Sequence, residues 1–347
     1  MRRILLAAVA LAAGCSDALE QTSSAGQVIA VVNSDHTVSF IAATDLSVRT
    51  VDLQTGGFGM TAAGRGSTVV VPLGSVDSVA VIHNAGLCTG LCVRPVVLFP
   101  LSPQSGATGV AIQDDSIAWI ANPKLNTVTR VNYLTGDTAS NGVGVYPQAV
   151  AIVRGRVFIA NGNLVGSVSA GPSWLSSFPC CGSASAIDSV PLTGANARVL
   201  LVGDDSLLYV VEAGHPGQRD GKLSVVDPVA RTELAVINGL GESPSAAAFH
   251  RSGRILVAAG GEILEVNTLT RSVTRGPGHG VNPGLAVGPA LAVDLRGRVY
   301  AAWSCQPPEF SAVGSYLNVL SPPPDYGVIK KITGSACPLA VALAVVP

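Results

Sequence analysis

A chain of 347 residues with 12% charged and 48% hydrophobic side chains, 39 Gly and 22 Pro has too few charges to clothe long amphipathic helices. It reads instead as an all-β chain of many short buried strands joined by tight turns. A formal net charge of −1 leaves no basic surplus for a polyanion, so no nucleic acid partner is expected, and 5% aromatics supply no interfacial girdles for a transmembrane barrel.

In chain order, Arg2 and Arg3 precede a short apolar run, Ile4 to Ala13, which ends at Gly14-Cys15-Ser16. A span of the bilayer needs roughly 20 apolar residues, so this segment reads as a signal peptide. Leu11 to Cys15, L-A-A-G-C, resembles a bacterial lipobox. The resemblance implies cleavage after residue 14 and lipidation of Cys15; ordinary secretory cleavage after an Ala is the alternative. Two or three acyl chains would anchor the protein to a membrane. Ser16 at the following position looks like outer-membrane sorting. Residues 1–14 are thus the expected signal peptide, 15–26 the lipidated Cys and a flexible tether, and 27–347 the folded domain.

The mature chain repeats one pattern, plainest at Pro147 to Asn161, P-Q-A-V-A-I-V-R-G-R-V-F-I-A-N: a small apolar strand, a turn at Arg154-Gly155, and a more apolar strand closed by Asn. The most apolar strand recurs at Val28–Asn33, Thr68–Val71, Ile117–Asn122, Val157–Asn161, Leu207–Glu212, Ile255–Ala259 and Val299–Trp303. Starts about 40 to 50 residues apart are the spacing of propeller blades. Small-residue strands precede most of these runs, Val199–Val202 among them, and suit the crowded axis. More polar strands follow. Four strands of rising polarity make one blade. The chain starts at the second strand of a blade and ends on Pro338–Val346, P-L-A-V-A-L-A-V-V, an innermost strand without followers. Joining the two closes a seven-bladed β-propeller; six blades is the fallback, because the region Ser167–Leu192 is irregular. The strand ends V-V-N and I-A-N, followed by T-V-S-F-I and T-V-T-R-V, resemble the YVTN-type seven-bladed propeller repeats. That likeness implies architecture. Members of the superfamily include binding proteins, cofactor-dependent dehydrogenases and lactone hydrolases.

Apart from Cys15, the cysteines are Cys88 and Cys92, the adjacent Cys180 and Cys181, and Cys305 with Cys337. In an exported chain an even count suggests disulfides. Cys305–Cys337 would staple the ring, stabilising it by roughly 3 to 4 kcal/mol for a loop of about 32 residues. Cys88–Cys92 would be a local bond, and the partners of Cys180 and Cys181 stay open. The five His are scattered and form no metal motif. His36 and His215 follow second strands, on a rim where propellers hold ligands. With Asp35, Glu212 and Asp220 they could build a polar site, and Asp35, His36, Asp204, Glu212 and His215 are the candidate rim residues. The pairs Asp114-Asp115 and Asp204-Asp205 recur at one turn position, where Asp serves turn geometry or could bind Ca²⁺ or Mg²⁺. Trp174 and Phe178, in Gly171–Pro179, and Phe310 and Tyr316, in Gln306–Pro324, read as loop aromatics that form contact surfaces or cap blades.

The expectation is therefore a monomeric, lipid-anchored propeller of the bacterial cell envelope, at the outer membrane. It would bind protein or extracellular polymer through one rim, without catalysis or a resident cofactor. The alternative is an envelope enzyme, a lactonase-like hydrolase or a cofactor-dependent oxidoreductase, with the rim carboxylates and His near the central channel.

Overall fold

The computed structural model describes residues 26–57, 59–83, 96–180, 186–284, 287–303, 316–333 and 338–345. Within them the chain forms seven four-stranded antiparallel sheets and one two-stranded hairpin. No helix among the described residues is long and apolar enough to cross a membrane. From the axis outward, blade 2 is Ala63–Arg65, Thr68–Leu73, Ser78–Ile82 and Val96–Pro100, and blade 3 is Val110–Ile112, Ile117–Asn122, Thr127–Asn132 and Thr138–Gly142. Blade 4 is Pro147–Val153, Arg156–Asn161, Pro172–Pro179 and Asp188–Ala195; blade 5 is Ala197–Val202, Leu208–Glu212, Lys222–Asp227 and Thr232–Asn238. Blade 6 is Ala246–His250, Arg254–Ala259, Glu262–Asn267 and Ser272–Arg275; blade 7 is Val287–Val293, Val299–Trp303, Tyr316–Leu320 and Val328–Thr333.

Blade 1 closes the ring. Its outer strands Gln27–Asn33, Thr37–Ala42 and Val48–Asp52 come from the start of the chain, and its innermost strand is Pro338–Val345, paired antiparallel with Gln27–Asn33. The pairing completes the seventh blade, and each blade keeps only a short innermost edge facing the axis, as in propellers. A polar clasp covers the same seam. The turn after Val287–Val293 carries the fully buried carboxylate of Asp294, bonded by Arg298 Nε at 2.7 Å and Tyr300 Oη at 3.0 Å. Arg298 also donates to the Ala43 carbonyl of blade 1, and Leu295 N donates to Gln27 Oε1 at 2.8 Å.

The core is divided among the interfaces between blades. Seven apolar clusters each join two neighbours: Trp119 and Ile117 of blade 3 meet Phe178 and Ile159 of blade 4, and Phe158 and Leu175 of blade 4 meet Val210 and Leu200 of blade 5. This is why the second strands are apolar on both faces: every residue of Ile117–Asn122 is buried. The outermost strands alternate, as in Val48–Asp52.

The turn at Arg154-Gly155 has φ of 48° and 69°, the two successive positive values of the hairpin turns whose twist matches the strands. The irregularity of blade 4 resolves into an inserted hairpin, Leu164–Val165 with Val168–Ser169. Beyond it Pro172–Pro179 is the third strand, not the loop read from sequence. Phe178 is fully buried with its ring edge-on to Trp119 at 5.2 Å. The serines of this strand are buried and bonded: Ser176 accepts from Asn161 Nδ2 at 3.0 Å, and Ser177 accepts from Arg156 Nε at 3.1 Å. Phe310 lies outside the described residues, and Tyr316 begins the third strand of blade 7.

The Asn that ends the second strands has a shared structural task. Asn122 Nδ2 donates to Thr127 and Thr129 on the next strand, at 3.1 and 2.7 Å, and Thr129 continues to Ser140 on the outermost strand at 2.8 Å. Asn33 donates to Thr37 and Ser39, both at 3.0 Å, and Ser39 continues to Thr50 at 3.1 Å. The amide's two hydrogens satisfy two hydroxyls of the next strand, so the T-x-T or T-x-S spacing follows from one donor group reaching alternate residues on one face.

Candidate functional site

Successive strands of a blade are antiparallel, so turns between first and second strands lie on one face of the disc and turns between second and third strands on the other. His36 and His215 are on the second kind of turn and Asp204 on the first. Asp204 is exposed on the opposite face, while its neighbour Asp205 bonds Leu207 N at 3.0 Å and Tyr209 Oη at 2.7 Å. Asp114 holds Ser116 N and Ile117 N, both at 2.9 Å, in the matching turn of blade 3. These aspartates shape turns. Asp35 accepts from Thr37 Oγ1 at 2.6 Å, and His36 Nδ1 lies 3.0 Å from the Gly57 carbonyl, both in blade 1. Two blades separate them from blade 5 by the shorter way round.

Within blade 5 the structure joins His215 to Asp220, a residue grouped with it from the sequence. His215 N and Nδ1 contact the two carboxylate oxygens of Asp220 at 3.0 and 2.7 Å. Burial pushes the Asp220 carboxyl up, but the bonds from His215 outweigh it and hold it below the usual range. Glu212, three residues before His215, is wholly buried at the strand position that Asn122 and Asn161 occupy in blades 3 and 4. Burial raises its pKa to about 7, with the Glu233 charge adding to the rise and the Ser224 hydrogen bond opposing it. Ser224 Oγ lies 2.8 Å from Glu212 Oε2 and 2.6 Å from Glu233 Oε1. One hydroxyl hydrogen serves only one of two carboxylates, and Glu212 supplies a second donor while it is protonated, below about pH 7. Among the described residues no three His, Cys, Asp or Glu gather where a metal ion could be held. Cys15, Cys88, Cys92, Cys181, Cys305 and Cys337 lie outside the described residues. Cys180 is buried just after Pro172–Pro179, which lifts its thiol above the ordinary value.

The concave site is the central channel, at the face that carries the His36 and His215 turns. A cavity of about 480 Å³ is walled by the innermost strands of several blades, through Ala149, Val150, Leu200, Leu201, Ala247 and Leu291, with Tyr146, Gln148 and Arg198 as its larger polar residues. Small side chains on these strands are what leave the space. Two β-bulges turn polar side chains into it. The ladder slips between Pro147 and Ala149, at Gln148, and again between Ala197 and Val199, at Arg198. A bulge gives two residues one partner and re-aims the extra side chain. Gln148 Nε2 then bonds Asn196 Oδ1 at 2.8 Å and the Ala197 carbonyl at 3.0 Å, fixing the segment that leads into Arg198. Gly162 is required beside it, since a Cβ there would lie 2.3 Å from Gln148 Nε2.

Among the described residues, Arg198 is the one charged residue of the lining. Its side chain is exposed to the channel, and desolvation by the neighbouring protein lowers its pKa from the ordinary value against the opposing pull of Tyr146. Among the described residues no hydrogen bond or ion pair engages its guanidinium. The sequence reading began this innermost strand at Val199 and so left Arg198 outside it. The available signal was an Arg beside V-L-L-V in a register otherwise filled by small apolar residues.

The fold defines a seven-bladed β-propeller with an open cavity in its central channel. No family model matches the chain, and no curated protein matches it. Solved structures do. A functionally unknown protein from Desulfotomaculum acetoxidans is 16% identical at a TM-score of 0.67, over 92% of this chain and 99% of that one. A catalytically inactive virginiamycin B lyase from Staphylococcus aureus, solved with quinupristin, is 12% identical at 0.62, over 81% and 89%. Apo AztD from Citrobacter koseri is 11% identical at 0.59, over 92% and 98%. At these identities the likeness concerns the fold alone.

Proposed function

We propose that this chain is a binding propeller of the bacterial cell envelope, of the YVTN repeat type, tethered through lipidated Cys15 and holding a small ligand in the mouth of its central channel. The observation that carries the reading is the cavity of about 480 Å³, within the range of ligand sites, with mostly small and apolar walls and a few fixed polar groups. Its lining among the described residues includes no carboxylate, His or Cys to act as acid, base or nucleophile. The L-A-A-G-C stretch supports the anchor. A protein or polymer partner covering that rim would meet the same opening.

Native mass spectrometry of the full chain purified from its own envelope tests the reading. The expected result is a co-purifying molecule of a few hundred daltons, on the order of what such cavities hold, that is absent from Ser245→Trp, a substitution in the cavity wall. Identical masses for both proteins would count against it. Cys15→Ser is expected to move the protein from the membrane to the soluble fraction. A hydrolase or lyase reading draws on one observation, the His215–Asp220 pair, in which a carboxylate at 2.7 Å orients an imidazole as a general base requires. Turnover of a lactone panel that disappears in His215→Asn would establish it instead.

A further inference from the structure

Arg198 presents an unusual balance. Its guanidinium stays protonated in proteins, so it cannot shed the cost of partial desolvation by losing its charge. Cations with a structural role are offset by a carboxylate or by carbonyls. Arg298 has Asp294 and the Ala43 carbonyl; Arg156 has Asp188 and Ser177. Arg198 has neither among the described residues, and the cavity lining offers no acidic side chain. Its place is nonetheless built: a bulge aims it inward, and Gln148, itself on the matching bulge of blade 4, ties down the two residues before it. Around it the walls are apolar, with Ala149, Leu201 and Ala247 close at hand in the same cavity.

We infer that the channel mouth binds an amphipathic organic anion, one acidic group on a compact apolar body, with the acidic group taken by the Arg198 guanidinium. The inference rests on the channel being the ligand site. An anion would supply the missing counter-charge, and the fork of guanidinium donors suits a two-oxygen acid group. The apolar body would replace water against the alanine, valine and leucine walls. A cavity of about 480 Å³ has room for both parts.

The test uses two probes that share a body and differ in charge, 8-anilinonaphthalene-1-sulfonate and N-phenyl-1-naphthylamine, titrated by fluorescence. The protein is the full chain carrying Cys15→Ala, so that no detergent competes. The expected result is one saturable site that prefers the sulfonate by about tenfold or more, as a charge-assisted bond to Arg198 in the channel mouth implies. Arg198→Met should remove that preference and leave the neutral probe unchanged. Arg198→Lys should keep part of it, and both variants should melt near the parent because no described residue bonds its side chain. Ser245→Trp should weaken both probes. If both probes bind alike, or Arg198→Met leaves the sulfonate's affinity intact, while Ser245→Trp still weakens both, the anion inference fails and the channel reading survives. If Ser245→Trp changes neither, the probes sit elsewhere and both fail. Absence of any saturable sulfonate site also overturns the inference.

Discussion

Blades 3 and 5 put different residues at one structural position. In blade 3 the second strand ends on Asn122, whose amide donates to two threonines. In blade 5 it ends on Glu212, which faces Ser224 and, beyond it, Glu233. An amide carries its donors at every pH; a carboxyl carries one only while protonated. The same relay is therefore indifferent to pH in one blade and conditional in the other. The conditional one is paired, through Ala197, with the strand that carries Arg198.

The largest expected effect separates the two by pH. The Glu212 pKa rises from 4.5 to about 7 on folding, so across that window the folded chain keeps a proton that the unfolded chain has lost. Its stabilising contribution is complete below about pH 4.5, declines as pH rises towards 7, and is gone above. The decline amounts to roughly 3 kcal/mol. Urea unfolding of the wild type against Glu212→Gln across this range should show that excess slope only in the wild type, since Gln carries a donor at all pH values. Lys222 and Glu233 also face the group, and Glu233→Gln is expected to reduce the slope by removing a like charge. Next, Asn122→Ala should cost about 2 kcal/mol by stranding two hydroxyls, equally at pH 5 and pH 8. Gly194→Ala should cost about 1 to 3 kcal/mol, because a Cβ there would lie 2.1 Å from Glu212 Oε2. Glu212→Ala should relieve that cost, which a double-mutant cycle would read. The smallest effect belongs to the exposed end of the blade 1 relay, where Thr50→Val should change stability by less than about 0.5 kcal/mol.

How much of this could be read in the sequence depended on how far local pattern and tertiary role agreed. Pro147–Asn161 was legible because its two apolar runs and its Arg-Gly turn each favour the hairpin they form. The closing strand was legible because an innermost strand at the end of the chain needs a partner at its beginning. Pro172–Pro179 was not, because its serines are polar to the eye and satisfied only by Asn161 and Arg156 from a neighbouring strand. Glu212 was singled out as a rim candidate, but its burial and the loss of an Asn-like donor are properties of the blade. The five rim candidates were grouped by residue type and loop position, and the alternation of turns between the two faces keeps Asp204 apart from His36 and His215. Arg198 escaped because a bulge breaks the period that sequence patterns rely on.

The most direct measurement is a crystal structure of the protein purified from its own envelope, with the channel of blades 4 to 6 in view. The expected result is ligand density in the mouth, with an acidic group within hydrogen-bond distance of Arg198 and an apolar part against Leu201 and Ala247. Density for a ligand bound on the other face, or a neutral molecule in the channel with Arg198 turned away, would contradict it.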